Sequence, residues 1–362
     1  MPQTSVPQMS GIEENGPNEA ASGPDASASE TQDGSLNELS FEIEPDEDLS
    51  FPASFAAFKA NVPAAAPQTE AKSAPAPAPA PAAKPAEAPK PEVKPEAPKA
   101  EEPKPVTVEE AVALLKKAEA DKTETPALSK LMKSNDAALA YKVQNAYLAD
   151  RLKSDSVIGY KGGMTSEKLM QVFSTSEPAV APLFKSGLLP EGAPIVLDRP
   201  GIKLEQEIGY RFGKKIDKPL ESPEQVKAAV TSLFPAIEVP LVGFASLKGI
   251  GFFDMAAASV GSYQVICGKE IPAEGVDVNA IEMKCTRDGK DFNAGKGTDA
   301  LGDQWGTLLK LINIIVRNGN TIEPGQFIIS GAMGAMLPAD PGSYTADFGS
   351  FGKIDFVVKK PE

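Results

Sequence analysis

An α+β fold behind a long disordered tail is predicted for this chain by three observations. Helical patterning gathers in one block, residues 107 to 151. After Val157 the pattern changes to many short apolar runs punctuated by Gly and Pro, and one late helix, Leu308 to Arg317, interrupts them. Strands that follow one another with few helices between them argue for an α+β or mainly β domain and against a doubly wound parallel sheet.

Residues 1–62 form an acidic tail, rich in Ser, Gly and Pro and too poor in apolar residues to offset chain entropy, so disorder is expected there. Within it Phe51, Phe55 and Phe58 fall at helical spacing behind the acidic run Glu42 to Asp48. The segment is either a short amphipathic helix that forms on a protein partner or a scatter of aromatics. Residues 63–105 hold thirteen prolines among Ala, Lys and Glu. Proline locks φ and favours polyproline II, which makes a semi-rigid linker of about 3.1 Å per residue.

Residues 106–362 read as the folded domain. Thr107 with Glu110 has capping-box spacing and introduces Ala111, Leu114 and Leu115 on a helix. Ala127 to Arg151 reads as more helix, broken near Asn135. The strand-like runs are Ile195 to Leu197, Leu204 to Phe212, Ala236 to Val239, Tyr263 to Cys267, Phe327 to Ser330, Thr345 to Phe348 and Ile354 to Val358.

Composition narrows the function. The 362 residues carry a net charge of −14, but the first 58 hold twelve acids and no Lys or Arg, so subtracting those twelve leaves −2 for the rest. No basic stripe is present for nucleic acid. Cys267 and Cys285 stand alone, which suits a reducing compartment and excludes zinc-finger chemistry. The N-terminus has no basic start and no apolar core, and the apolar stretch from Leu308 to Val316 is too short to span a bilayer. A cytoplasmic protein with no membrane partner is expected.

Three glutamates carry the chemical signal. In Leu204 to Phe212 the apolar residues Leu204, Ile208, Tyr210 and Phe212 share one parity, and Glu205 and Glu207 share the other. Side chains alternate across a strand, so both carboxylates point the same way from Cα atoms about 6.6 Å apart. That is a chelating geometry, although Glu-x-Glu also suits the wet face of an amphipathic strand. Glu238 lies among Ala236, Ile237 and Val239, where a lone carboxylate is costly. Either a hard divalent cation or a salt bridge to Lys or Arg would compensate it.

Several segments then resemble, in order, the signatures of the 2-keto-4-pentenoate hydratase group of the fumarylacetoacetate hydrolase superfamily. They are Ala140 to Gln144, Gly159 to Ser166, Leu204 to Ile208, Pro235 to Val239, Pro324 to Gly331 and Pro341 to Gly352. The resemblance implies a fumarylacetoacetate hydrolase-like mixed β-roll with N-terminal helices, a Mg2+ or Mn2+ site, small-molecule 2-oxo acids as substrates and a homo-oligomer. Carried over residue by residue, Glu205, Glu207 and Glu238 match the metal carboxylates and Lys161 matches the active-site lysine. The implied reaction is a hydro-lyase step on 2-hydroxy-2,4-dienoate or 2-oxo-4-enoate substrates, in which the dienol tautomerises to an unsaturated ketone and water adds to the conjugated double bond to give a 4-hydroxy-2-oxo acid. Lys161 either relays a proton, which requires a lowered pKa, or only pairs with a carboxylate.

The chain contains no histidine. Carbon–carbon bond hydrolases of this superfamily resemble one another in using a histidine to activate water, so hydrolysis is disfavoured. The related 2-oxo-3-enedioate decarboxylase activity stays open. Pro178 to Phe184, Val239 to Gly243 and Asp254 to Ser259 depart from the family pattern by removing polar groups from the expected pocket. An altered substrate with a less polar distal end fits these changes, and so does a catalytically degenerate binding or scaffold member.

Overall fold

Thr107 opens the helical block with a reciprocal cap. Its hydroxyl accepts from the Glu110 N–H at 3.2 Å, and the Glu110 carboxylate accepts from the Thr107 N–H at 2.7 Å. The computed structural model describes residues 103–190 and 192–362; the predicted tail, nearly all of the linker and the Phe51, Phe55 and Phe58 segment lie outside the described residues. The helices are α1 (Val108–Asp121), α2 (Leu128–Met132), α3 (Ala137–Arg151), α4 (Glu167–Val172), α5 (Pro223–Lys227), α6 (Phe252–Ala257) and α7 (Gln304–Arg317). The predicted break near Asn135 falls between α2 and α3, where Lys133 turns left-handed and the Asp136 carboxylate caps the Ala138 N–H at 2.8 Å. Helix α7 starts four residues before the predicted Leu308, because the Asp303 carboxylate accepts from the Gly306 N–H at 2.7 Å.

Among the described residues there are thirteen strands: β1 (Val157–Gly163), β2 (Ala179–Phe184), β3 (Ile195–Val196), β4 (Lys203–Phe212), β5 (Val230–Val239), β6 (Gln264–Cys267), β7 (Ile271–Pro272), β8 (Glu282–Arg287), β9 (Lys290–Lys296), β10 (Phe327–Ile329), β11 (Leu337–Pro338), β12 (Gly342–Asp347) and β13 (Lys353–Lys359). They form an 8-stranded sheet with main order β2-β1-β10-β4-β5-β6 and a 5-stranded sheet with order β3-β13-β12-β8-β9. Pairing is antiparallel except for β1 with β10 and β13 with β3. A bridge between Leu188, beyond the end of β2, and Val265 on β6 draws the two ends of the larger sheet together into a half-barrel. The architecture is therefore the predicted α+β class, with mixed sheets and helices leading.

Three departures from the sequence reading have physical causes. Strand β5 begins at Val230, not Ala236, and runs through Pro235. Its outer neighbours leave a gap there, since β7 pairs Ser232 and Leu233 and β6 pairs Ala236 to Val239. Strand β1 escapes a pattern reading because its glycines look like a loop. Yet a Cβ on Gly159 would stand 2.2 Å from the Phe327 carbonyl oxygen, so packing against β10 demands glycine. The β8–β9 hairpin is polar and weakly patterned, and its signal is the Asp288–Gly289 turn, with φ of 51° and 77°.

The half-barrel has two interiors. Leu204, Ile208, Tyr210 and Phe212 join the main core with the helices, whereas Leu183, Phe234, Ala236, Val265, Phe327 and Ile329 form a separate apolar plug on the other face of the sheet. Gly209 admits that plug: a Cβ there would lie 2.2 Å from the Phe234 ring. Among the described residues no helix is long and apolar enough to cross a membrane.

Candidate metal centre

Strand register places Glu205 directly opposite Glu238 on the neighbouring strand, with Glu207 opposite Ala236. Like charges in facing positions destabilise a sheet unless something compensates them. Carboxylate oxygens of Glu205, Glu207 and Glu238 lie within 4.8 Å of one another. Glu238 is fully buried and Glu207 is 1% exposed, while Glu205 keeps partial exposure, so the wet-face reading fails at Glu207. The cause is that the half-barrel covers both faces of β4.

Lys161 is the counter-charge. It sits on β1, three strands from β5, and on a flat sheet that offset is about 14 Å. The curl of the half-barrel and the length of the lysine stem close it, and the ammonium pairs directly with Glu238 Oε1. It also donates to the Val260 carbonyl at 3.1 Å. Burial works against the charge on Lys161, but Glu238, then Glu205 and Glu207, outweigh it and hold the ammonium above its usual range. A neutral amine ready to act as a base is not what this arrangement holds.

The carboxylates respond in the opposite sense. Burial first, then the Glu238 charge, lifts the Glu205 carboxyl to about 7 against the pull of Lys161, even though the Glu205 side chain keeps partial exposure. Glu207 is driven well above the carboxylate range by burial and by both neighbours, partly offset by Lys161 and by the Gly331 N–H, which donates to Glu207 Oε2 at 2.7 Å. Glu238 is also raised, by burial, despite its ion pair. Its Oε2 meets no donor, and the Glu207 carboxyl lies against the Glu238 side chain. Two carboxylates share such a contact only through a proton or a cation.

Other groups complete the site and leave little trace in the sequence. Ser259 and Val260 are both left-handed, at φ of 55° and 50°, which is rare for a β-branched residue. That turn aims the Val260 carbonyl at Lys161, and the Val260 side chain occupies the space a Cβ on Gly163 would need, at 2.3 Å. Gly331 has φ of 107° and no room for a side chain, because a Cβ would fall 1.9 Å from Thr165 Oγ1. Only the glycine hinted at this conformation. Both cysteines are free, and neither belongs to the cluster.

No family model matches the chain. A 2-keto-4-pentenoate hydratase of Paraburkholderia xenovorans is 30% identical over 209 residues, covering 56% of this chain and 76% of that protein. A 2-keto-4-pentenoate hydratase of Paraburkholderia phymatum is 26% identical over 253 residues, covering 68% and 95%. Among solved structures, 4-oxalocrotonate decarboxylase from Pseudomonas putida, complexed with magnesium and adipate, superposes with a TM-score of 0.66 at 22% identity, over 71% of this chain and 100% of that one. The last likeness speaks for the fold.

Proposed function

Because the chain belongs to the fumarylacetoacetate hydrolase superfamily, within its 2-keto-4-pentenoate hydratase group, we propose that it is a metal-dependent hydro-lyase. Its substrates are 2-hydroxy-2,4-dienoates or their 2-oxo-4-enoate tautomers, and its products are 4-hydroxy-2-oxo acids. The observation that carries this reading is the convergence of Glu205, Glu207 and Glu238 around one point beside a buried ammonium.

The residues fit a divalent hard cation. Three carboxylates and one ammonium leave a deficit of two positive charges, every donor is oxygen, and Glu238 Oε2 has no donor of its own. Glu205, Glu207 and Glu238 would hold Mg2+ or Mn2+, which when bound supplies Lewis-acid polarisation of a 2-oxo acid's carboxylate and C2 oxygen. The chain's own residues do the rest. Lys161 locks Glu238 and, as an ammonium, presents N–H donors to a substrate oxygen. The Gly331 N–H orients Glu207. The apolar plug of Phe234, Phe327, Leu183 and Val265 lies on the same face of the sheet as the carboxylates and limits water there.

The absence of histidine supports a lyase over a carbon–carbon hydrolase. The polar groups lost at Pro178 to Phe184 and Asp254 to Ser259 support a substrate whose distal end is apolar. Residues 1–62 and 63–105 act, in this reading, as an acidic docking tail and its spacer, outside the catalytic domain of 106–362.

Calorimetric titration of Mg2+, alone and with oxalate as a mimic of the bidentate keto-acid head, tests the centre on wild type and Glu205→Gln. Wild type is expected to bind the ion and then oxalate, and the variant to lose both. Turnover is then followed on two substrate sets. Loss of dienoate absorbance without CO2 release supports hydration, CO2 release from a 2-oxo-3-enedioate replaces it with decarboxylation, and ion binding without turnover on either set makes the protein a binding member.

A further inference from the structure

The underside of the centre carries a second polar construction that the reaction does not use. Gln304, the first residue of α7, is fully buried, and both ends of its amide are engaged. Its Oε1 accepts from the Tyr210 hydroxyl at 2.7 Å and from the Ser330 hydroxyl at 2.7 Å. Its Nε2 donates to the Gly297 carbonyl at 2.7 Å, and its backbone N–H donates to Asn279 Oδ1 at 2.8 Å. Buried amides placed this way fix whatever they hold, since each group released would be left unpaired.

What Gln304 holds is specific. Tyr210 stands on β4 three residues beyond Glu207, and its side chain points to the face opposite the carboxylates. Ser330 immediately precedes Gly331, whose N–H holds Glu207 Oε2. The two hydrogen bonds to Gln304 Oε1 thus tie together the strand that carries Glu207 and the backbone that orients it. From the other side, Thr165 Oγ1 fills the place a Cβ on Gly331 would need, at 1.9 Å.

We propose that Gln304 is a positioning residue for the carboxylate centre, acting through Ser330 and Gly331 on Glu207. This rests on the reading of the centre as a divalent-ion site. Gln304 touches neither ion nor substrate; it sets the direction of one ligand from the far side of the sheet. Groups that orient a metal ligand in this way typically change ion affinity by about 10–100-fold when removed.

The test is Mn2+ binding to the full-length protein, measured by calorimetry and by the electron spin resonance signal of free Mn2+, on wild type, Gln304→Met, Ser330→Ala and Thr307→Val. Thr307 is the control, because it is buried on the same helix and its hydroxyl donates to the Ala300 carbonyl at 2.7 Å, with no bond to Tyr210, Ser330 or Gly331. The Kd for Mn2+ is expected to rise about 10–100-fold in Gln304→Met and Ser330→Ala and to stay unchanged in Thr307→Val. Wild-type affinity in folded Gln304→Met, or an equal loss in Thr307→Val, overturns the proposal while leaving the ion site intact. Should Gln304→Met not fold, Ser330→Ala and Tyr210→Phe each remove one of the two bonds, and wild-type affinity in both overturns it. If wild type takes up no Mn2+, the proposal falls together with the metal reading.

Discussion

The two sheets obey the same alternation rule and put it to different use. In the 5-stranded sheet β13 alternates cleanly, with Ile354, Phe356 and Val358 buried and Lys353, Asp355 and Val357 in water. In the 8-stranded sheet β4 and β5 are covered on both sides, so the second face of β4 meets protein where the pattern promised solvent. A polar residue on the wet face of the small sheet costs nothing and does nothing in particular. On the second face of the large sheet it must be compensated, and of Glu205, Glu207 and Glu238 only Glu238 has its own counter-charge, in Lys161. The chemistry collects where the fold removed the solvent.

The contrast is broken hardest by Glu238→Ala. Removing the partner of a buried ammonium is expected to lower stability by about 3–5 kcal/mol in urea unfolding of the ion-free protein, with loss of divalent-ion binding in calorimetry. A loss under about 1 kcal/mol would mean that Glu205 or Glu207 takes over the ammonium. Next comes Gly209→Ala, which drives a methyl group into the Phe234 ring and should cost about 1–3 kcal/mol by overpacking. Retention of wild-type stability would show that the apolar plug can yield.

A smaller effect is expected at the rim, where Glu270 accepts from Arg211 Nε at 2.6 Å and from the Ser232 hydroxyl at 2.5 Å. Burial raises the Glu270 carboxyl, but the bonds from Arg211 and Ser232 outweigh it and leave it below its ordinary 4.5. A carboxyl depressed in the folded state contributes stability above the unfolded pKa and loses it as pH falls through the folded value. Stability of wild type should therefore drop below about pH 4.5 more steeply than that of Glu270→Gln, and parallel pH profiles would remove this pair from the acid response. Smallest of all is Thr345→Ala on the wet face, where the hydroxyl bonds only to exposed Asp355 at 2.5 Å. Its urea midpoint should correspond to a change within about 0.5 kcal/mol, and a larger loss would mean that this face is not simply solvated.

Much of this was legible in local sequence. Thr107 with Glu110, the break before Asp136 and the shared parity of Glu205 and Glu207 each depend on residues a few positions apart, and each reappears in the fold. The β8–β9 hairpin was equally legible from Asp288–Gly289, but its polar strands have no apolar rhythm to draw attention. Strand β1 was not legible, because Gly159 and Gly163 are there to make room for Phe327 and Val260, residues remote in the chain.

By itself, then, the sequence determined the class of the fold, the order of its main helices and strands, the shared parity of Glu205 and Glu207 and the apolar setting of Glu238, since periodicity, capping and side-chain polarity act over one or two turns. Only the tertiary structure decided that Lys161 crosses the sheet to Glu238, that the Gly331 N–H meets Glu207, and that Gln304 braces them from below. Those meetings depend on strand order and on the curl that closes the half-barrel, and both are set by how distant segments pack rather than by any one of them.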